Sequence, residues 1–202
     1  MTSDPLSPLS LATSHLSALR HHLLTLFASL AYQEGDFVLS SGQPSPYYIN
    51  GKKVTLTAEG ALAVGRLLLA ELPPTAIAVA GLTLGADPLV TAVSVVSAYE
   101  NRPVAALIIR KEAKGHGTKA YIEGPNLPAG TQVVVLEDVV TTGKSAMLAV
   151  ERLRDAGYQV NEVITLVDRE QGGAEFYRSQ GLTFRAIFSI TDIQAIARDL
   201  YS

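Results

Sequence analysis

The stretch from Gln132 to Ser145, QVVVLEDVVTTGKS, restricts the possible folds of this chain more than any other. Its apolar run, Val133 to Leu136, is too short for a helix and rich in β-branched residues. It reads as a strand covered on both faces, as parallel strands are. Two acids follow, Glu137 and Asp138, and then Thr141, Thr142, Gly143, Lys144 and Ser145. From Ser145 onward Ala146, Ala149, Val150 and Leu153 recur at helical spacing, and Gly157 stands where a left-handed residue stops a helix. A strand, a polar loop and a helix start present free backbone N–H groups and a helix dipole to an anion. The loop is a candidate phosphate cradle.

Asp138 in the position of the first glycine argues against a nucleotide-triphosphatase loop, GxxxxGK[ST]. An ordinary strand end with solvated acids remains open for Glu137 and Asp138 taken alone. Acids beside an anion cradle repel phosphate unless they face something else, and a ribose, with hydroxyls to donate, is such a partner.

At 202 residues and 48% hydrophobic, the chain suits one domain with a sizeable core. Its net charge of −3 argues against nucleic-acid binding by bulk charge, so an anion site must be built locally. There is no cysteine, hence no disulfide or thiolate chemistry, and His15, His21, His22 and His116 lack metal-ligand spacing. Arg66, Glu71 and Arg110 interrupt the longest apolar stretches, which leaves no membrane span. Residues 1–13 read as a loose tail without signal-peptide character, and the protein as soluble and cytoplasmic.

Taken in order, Leu16, Leu19, Leu23, Leu26 and Leu30 mark a helix from Ser14 to Ala31, with the histidines on its solvated side. Residues 35–55 read as a small flap, in which Phe37-Val38-Leu39 and Tyr47-Tyr48-Ile49 have strand character around a Gly/Pro turn. Tyr47 and Tyr48 either stack on a flat ring or simply pack. Thr57 caps a helix that Pro73-Pro74 ends. A strand from Thr75 to Gly81 leads through Gly-Leu-Thr-Leu-Gly into a helix from Asp87 to Tyr99; Gly81 and Gly85 permit a tight turn that brings a backbone N–H to an anion.

After a buried strand, Pro103 to Ile109, come Arg110, Lys111, Lys114, His116 and Lys119 within ten positions, with glycines at 115, 117 and 124. No apolar period exists there, and the segment reads as a long mobile loop. A solvated charge run is the ordinary explanation, yet an acidic protein that concentrates positive charge between apolar strands calls for a dense anion. Glycine-hinged long loops commonly serve as lids. The alternation continues with a strand Glu162 to Asp168, a helix Ala174 to Gln180, a strand Leu182 to Ile190, and a last helix with Thr191 and Gln194 as a capping box. The expected architecture is α/β: a central, mainly parallel sheet flanked by helices, in one domain over 14–202. Its ligand site lies beyond the carboxyl strand ends, where Gly81, Arg110, Asp138 and Arg169 fall.

EDVVTTGKS resembles the phosphoribosyl-pyrophosphate motif of the type I phosphoribosyltransferases, and RKEAKGHGT resembles the catalytic loop of their orotate-specific members. LVDREQGG and SSGQPSPYYI are similar to that group as well. The resemblance implies the type I fold with an N-terminal hood and transfer of phosphoribosyl from phosphoribosyl pyrophosphate to orotate in pyrimidine synthesis. It implies Mg²⁺ held mainly by substrate rather than by protein side chains, and a homodimer with shared active sites. It assigns Glu137 and Asp138 to the ribose hydroxyls and Val139, Val140, Thr141, Thr142, Gly143, Lys144 and Ser145 to the 5′-phosphate part of the substrate. Arg110, Lys111, Lys114 and His116 go to the pyrophosphate, with Lys114, His116, Arg110 and Asp138 as the catalytic set. Thr141, Arg169, Tyr48 and Ile49 go to orotate. Where several family members carry lysines, this chain has Ser40 and Gly85; Lys52 and Lys53 are candidate substitutes. Two alternatives are another base as acceptor, and a regulator that senses phosphoribosyl pyrophosphate while binding nucleic acid. The basic loop and the absence of an appended DNA-binding segment speak against the second.

Overall fold

A computed structural model describes residues 8–38, 42, 44–114 and 121–201; Ser40 and His116 lie outside the described residues. The main sheet has six strands in the order β5-β4-β3-β6-β7-β8. Strands β3 (Ala78–Leu82), β4 (Ala105–Ile109), β6 (Val133–Val140), β7 (Glu162–Asp168) and β8 (Thr183–Ser189) are parallel to their neighbours. A two-residue strand β5 (Ile122–Glu123) runs antiparallel at the edge. Strand order reverses between β3 and β6, and ligands in open α/β sheets bind at such a point.

The period of two in β6 divides the interior. Val134 and Leu136 face one layer of core with α1 (Pro8–Leu26), α3 (Ala58–Glu71), α4 (Asp87–Tyr99) and α7 (Ile190–Tyr201). Val133 and Val135 face the other, with α5 (Lys144–Asp155) and α6 (Gly173–Ser179). Both faces are therefore dry, which is why the run shows no polar alternation.

A hood of two antiparallel strands, β1 (Tyr32–Val38) and β2 (Pro44–Ile49), stands apart from the sheet and returns through a short helix α2 (Lys52–Thr55). The first helix begins at Pro8, ahead of the expected Ser14, and closes in a π-helical turn, Phe27–Ala31. The first hood strand is longer than expected because Tyr32, Gln33 and Glu34 pair with Ile49, Tyr48 and Tyr47 ahead of an irregularity between Glu34 and Phe37.

Two local expectations are corrected. The segment after Ile109 was expected to hold no element, yet Ile122 and Glu123 pair with Ile109 and Ile108, which anchors its far end to the sheet. The cap of α7 is Ser189 rather than Thr191. The Ser189 N–H donates to Asp192 Oδ2 at 2.8 Å, and the Asp192 N–H donates to Ser189 Oγ at 3.1 Å. Thr191 donates instead to Glu170 Oε2 at 2.6 Å and Gln194 to Tyr32 Oη at 3.3 Å, so both expected capping residues make long-range contacts.

Candidate active site

The carboxyl ends of β3, β4, β6 and β7 meet at one rim. At its centre β6 delivers two acids that differ sharply. Glu137 leaves the strand on the α5–α6 side and is 7% exposed, and its Oε2 lacks a partner. Burial pushes its carboxyl well above the ordinary range, the neighbouring Asp138 charge adds to this, and the Lys111 ammonium opposes it. Asp138 leaves on the hood side and is only half-buried; its Oδ1 accepts from the Val139 N–H at 2.9 Å.

Glycines make room for that second carboxylate. A Cβ at Gly85 would stand 2.6 Å from Asp138 Oδ1, and one at Gly51 would stand 3.7 Å from Asp138 Cβ. The glycine turn after β3 was expected to approach an anion with its backbone. It also admits the Asp138 side chain, which any side chain at position 85 would crowd. Gly81 has a separate packing reason: a Cβ there would meet Ala86 Cβ at 2.2 Å and Leu136 O at 2.6 Å.

Gly143, with φ +86°, turns β6 into α5. Any side chain there would also strike Phe176 Cδ1 at 2.7 Å and Tyr177 Cζ at 3.0 Å. The loop thus rests on α6, and its Thr142, Lys144 and Ser145 are exposed while Thr141 is half-buried. Free N–H groups at the start of this twelve-residue helix face the rim. Tyr177 forms the floor. Its ring is fully buried and its hydroxyl has no partner; burial, then the charges of Glu137 and Asp168, push its pKa upward.

Arg169, at the end of β7, is 5% exposed and reaches under the hood. Its Nη2 donates to Ser45 Oγ at 2.9 Å and its Nε to Tyr47 Oη at 3.3 Å, with the guanidinium 4.5 Å from the Tyr47 ring centre. Strand β2 alternates exposed and buried from Pro44 to Ile49, so Ser45, Tyr47 and Ile49 share the inner face. The expected contact residue Tyr48 turns to the other face, packed on Phe37 with ring centres 5.6 Å apart, and Ile49 is sunk in the core. The inward tyrosine is Tyr47, a distinction the alternation could have yielded.

On the other flank, Arg110 donates to Glu123 Oε1 at 3.2 Å and Lys114 Nζ lies 3.6 Å from the same oxygen. Lys111 and Lys114 are exposed. Sequence reasoning found these cations but missed Glu123, since nothing in sequence signals a contact made by strand pairing across the segment. It likewise missed Tyr177.

The family model for uracil phosphoribosyltransferase matches residues 85–178, the part that carries the cradle and the basic segment. The orotate phosphoribosyltransferase of Synechocystis sp. is 75% identical over 94% of this chain and 96% of its own length. The chain belongs to the orotate phosphoribosyltransferase family. A more distant relative, the orotate phosphoribosyltransferase of Sorangium cellulosum, is 45% identical over 86% of this chain and 92% of its own. Among solved structures, the Mycobacterium tuberculosis orotate phosphoribosyltransferase in complex with 5-phospho-α-D-ribosyl 1-diphosphate superposes with a TM-score of 0.71 and 35% identity, covering 87% of this chain and 99% of that one. The family shares the type I fold, a central mainly parallel sheet flanked by helices.

An orotate phosphoribosyltransferase with a buried acid of raised pKa has a testable stability signature. A carboxyl whose folded pKa is raised contributes stability that is full below its unfolded value, near 4.5, and is lost as pH rises through the folded value. Glu137→Gln is therefore expected to unfold at a temperature increasingly above wild type as pH rises from that point. At pH 8 the gap should reach about 2 to 4 °C, the scale of about 1 kcal/mol in a domain of this size. Thermal unfolding across pH checks this; a gap independent of pH would remove the buried ionisation from the account.

Proposed function

We propose that the chain transfers the phosphoribosyl group of 5-phosphoribosyl 1-pyrophosphate to orotate, releasing orotidine 5′-phosphate and pyrophosphate. One observation carries the reading at the site: a buried acid with an unpartnered oxygen, Glu137, lies beside Asp138 and next to an anion cradle at a helix start. Ribose hydroxyls are donors of the kind that oxygen lacks. The cradle from Val139 to Ser145 takes the 5′-phosphate, and Arg110, Lys111, Lys114 and His116 take the pyrophosphate.

Breaking the sugar–diphosphate bond leaves positive charge on the ribose and adds negative charge to the leaving group. The ribose cation develops over Asp138, and the lysines and arginine stabilise the diphosphate because their charges are in place before the bond breaks. Mg²⁺ would be held mainly by oxygens of the substrate, with the hard oxygens of Glu137 and Asp138 kept for the ribose hydroxyls beside it. When bound with the substrate, Mg²⁺ neutralises charge on the departing diphosphate. Orotate is already an anion, so its ring nitrogen attacks without a strong base. Arg169 pairs with the orotate carboxylate, and Thr141 and the inner face of the hood, which presents Tyr47, close over the ring.

A homodimer that shares its sites belongs to the same reading. Leu56, Leu62, Leu84 and Val95 expose an apolar face along α3 and α4, next to Gly85 and Asp138. An apolar patch beside a rim of polar groups marks an interaction surface. A cytoplasmic setting is part of the reading too; among the described residues no helix is long and apolar enough to cross a membrane.

Orotate consumption with phosphoribosyl pyrophosphate, followed with and without Mg²⁺ and compared with uracil, adenine and hypoxanthine, tests the proposal. Orotate should be consumed only with Mg²⁺, and the other bases at under about one-hundredth of its rate, as expected of a site that pairs a carboxylate they lack. Preference for uracil would transfer the assignment to that base.

A further inference from the structure

We infer that Arg152, on the third turn of α5, is a positioning residue that aims the diphosphate-binding cations at the end of β4. The inference rests on the proposed function for its substrate, phosphoribosyl pyrophosphate. Arg152 Nη1 donates to the Arg110 carbonyl and Nη2 to the Lys111 carbonyl at 2.9 Å. Its guanidinium also lies over the Tyr121 ring, 3.9 Å from the ring centre. The Arg110 N–H donates to the Tyr121 carbonyl at 2.8 Å, so the two ends of the basic segment meet where Arg152 grips them.

The placement gives Arg152 a consequence for binding. Residues 111–114 are exposed and belong to no helix or strand. Two carbonyls held by one planar fork, and a ring stacked on its face, supply a constraint from a rigid helix. The same helix opens with the cradle residues Lys144 and Ser145. One element therefore holds the loop for the 5′-phosphate at its start and the backbone of the diphosphate cations two turns later. The spacing between the two anion sites is set by helix geometry. Lysine could reach one carbonyl, but neither the second carbonyl nor the stack.

Calorimetric titration of phosphoribosyl pyrophosphate with Mg²⁺ into wild type, Arg152→Gln, Arg152→Lys and Tyr121→Ala tests the role. Arg152→Gln should weaken binding about tenfold or more, the scale on which misplaced binding groups act, with Arg152→Lys between it and wild type. In steady state the KM for phosphoribosyl pyrophosphate should rise in parallel while that for orotate stays within about twofold, a split that general loosening of the fold would not produce. Wild-type affinity in Arg152→Gln, or an equal rise in both KM values, overturns the inference. Tyr121→Ala leaves α5 intact and decides the matter if Arg152→Gln does not fold: it should weaken binding about threefold, and unchanged binding overturns the role. A wild-type protein that binds phosphoribosyl pyrophosphate but ignores orotate would defeat the proposed acceptor and leave the comparison of variants valid.

Discussion

Lys114→Ala is expected to lower turnover by about two orders of magnitude, the loss seen when one preorganised donor to a developing charge is removed. Lys114 is exposed, 72% accessible, and its ammonium lies 3.6 Å from a Glu123 oxygen that Arg110 also engages. It supports no core and caps no helix. Its removal should leave the unfolding temperature essentially unchanged, as surface substitutions do. In the proposed reaction the diphosphate carries more charge as it leaves than before, so Lys114 would matter more in the transition state than in the bound substrate. The effect should therefore fall on kcat, with the KM for phosphoribosyl pyrophosphate moving less. Steady-state kinetics with thermal unfolding on the same preparation provide the check, and a near-normal kcat would take Lys114 out of the mechanism.

Arg169→Ala should raise the orotate concentration needed for half-saturation about a hundredfold, in the range for loss of a buried cation from a carboxylate. The structure adds a second expected effect. Arg169 holds Ser45 and Tyr47 of the hood, so the alanine variant should also expose β2 to proteolysis. Tyr47→Phe separates the two, since it removes one acceptor and keeps the ring under the guanidinium. It should change orotate affinity by only a few-fold, the worth of one modest hydrogen bond. Calorimetry with orotate measures both variants, and unchanged affinity in Arg169→Ala would reassign the carboxylate to another cation.

The two acids show how far residue order can be carried. Glu137 and Asp138 stand next to each other and invite one role, yet consecutive strand residues leave on opposite faces. One is buried next to Tyr177 and the other lies in a gap left by Gly51 and Gly85. Tyr47 and Tyr48 divide in the same way. The strand period was visible in the residues, whereas the face that met the site depended on how the hood returns to Arg169. Lys114 was recognisable as a cation in a glycine-rich segment, but its partner Glu123 was invisible, as was Arg152, which holds the Arg110 and Lys111 carbonyls from 42 and 41 positions away.

The parallel α/β sheet, the strand ends that form the rim, and the glycine turn that opens α5 all follow from local pattern. An apolar β-branched run, a glycine at a sharp turn and a helical period are short-range signals, each set by backbone sterics and burial within about ten residues. The partners of the site residues follow from packing. The unpartnered oxygen of Glu137, the space that Gly85 leaves for Asp138, the hold of Ser45 and Tyr47 on Arg169, and the grip of Arg152 on Arg110 and Lys111 arise where separate elements meet. Contacts between such distant residues carry no periodicity, so they become legible only once the sheet order has brought their elements to one rim.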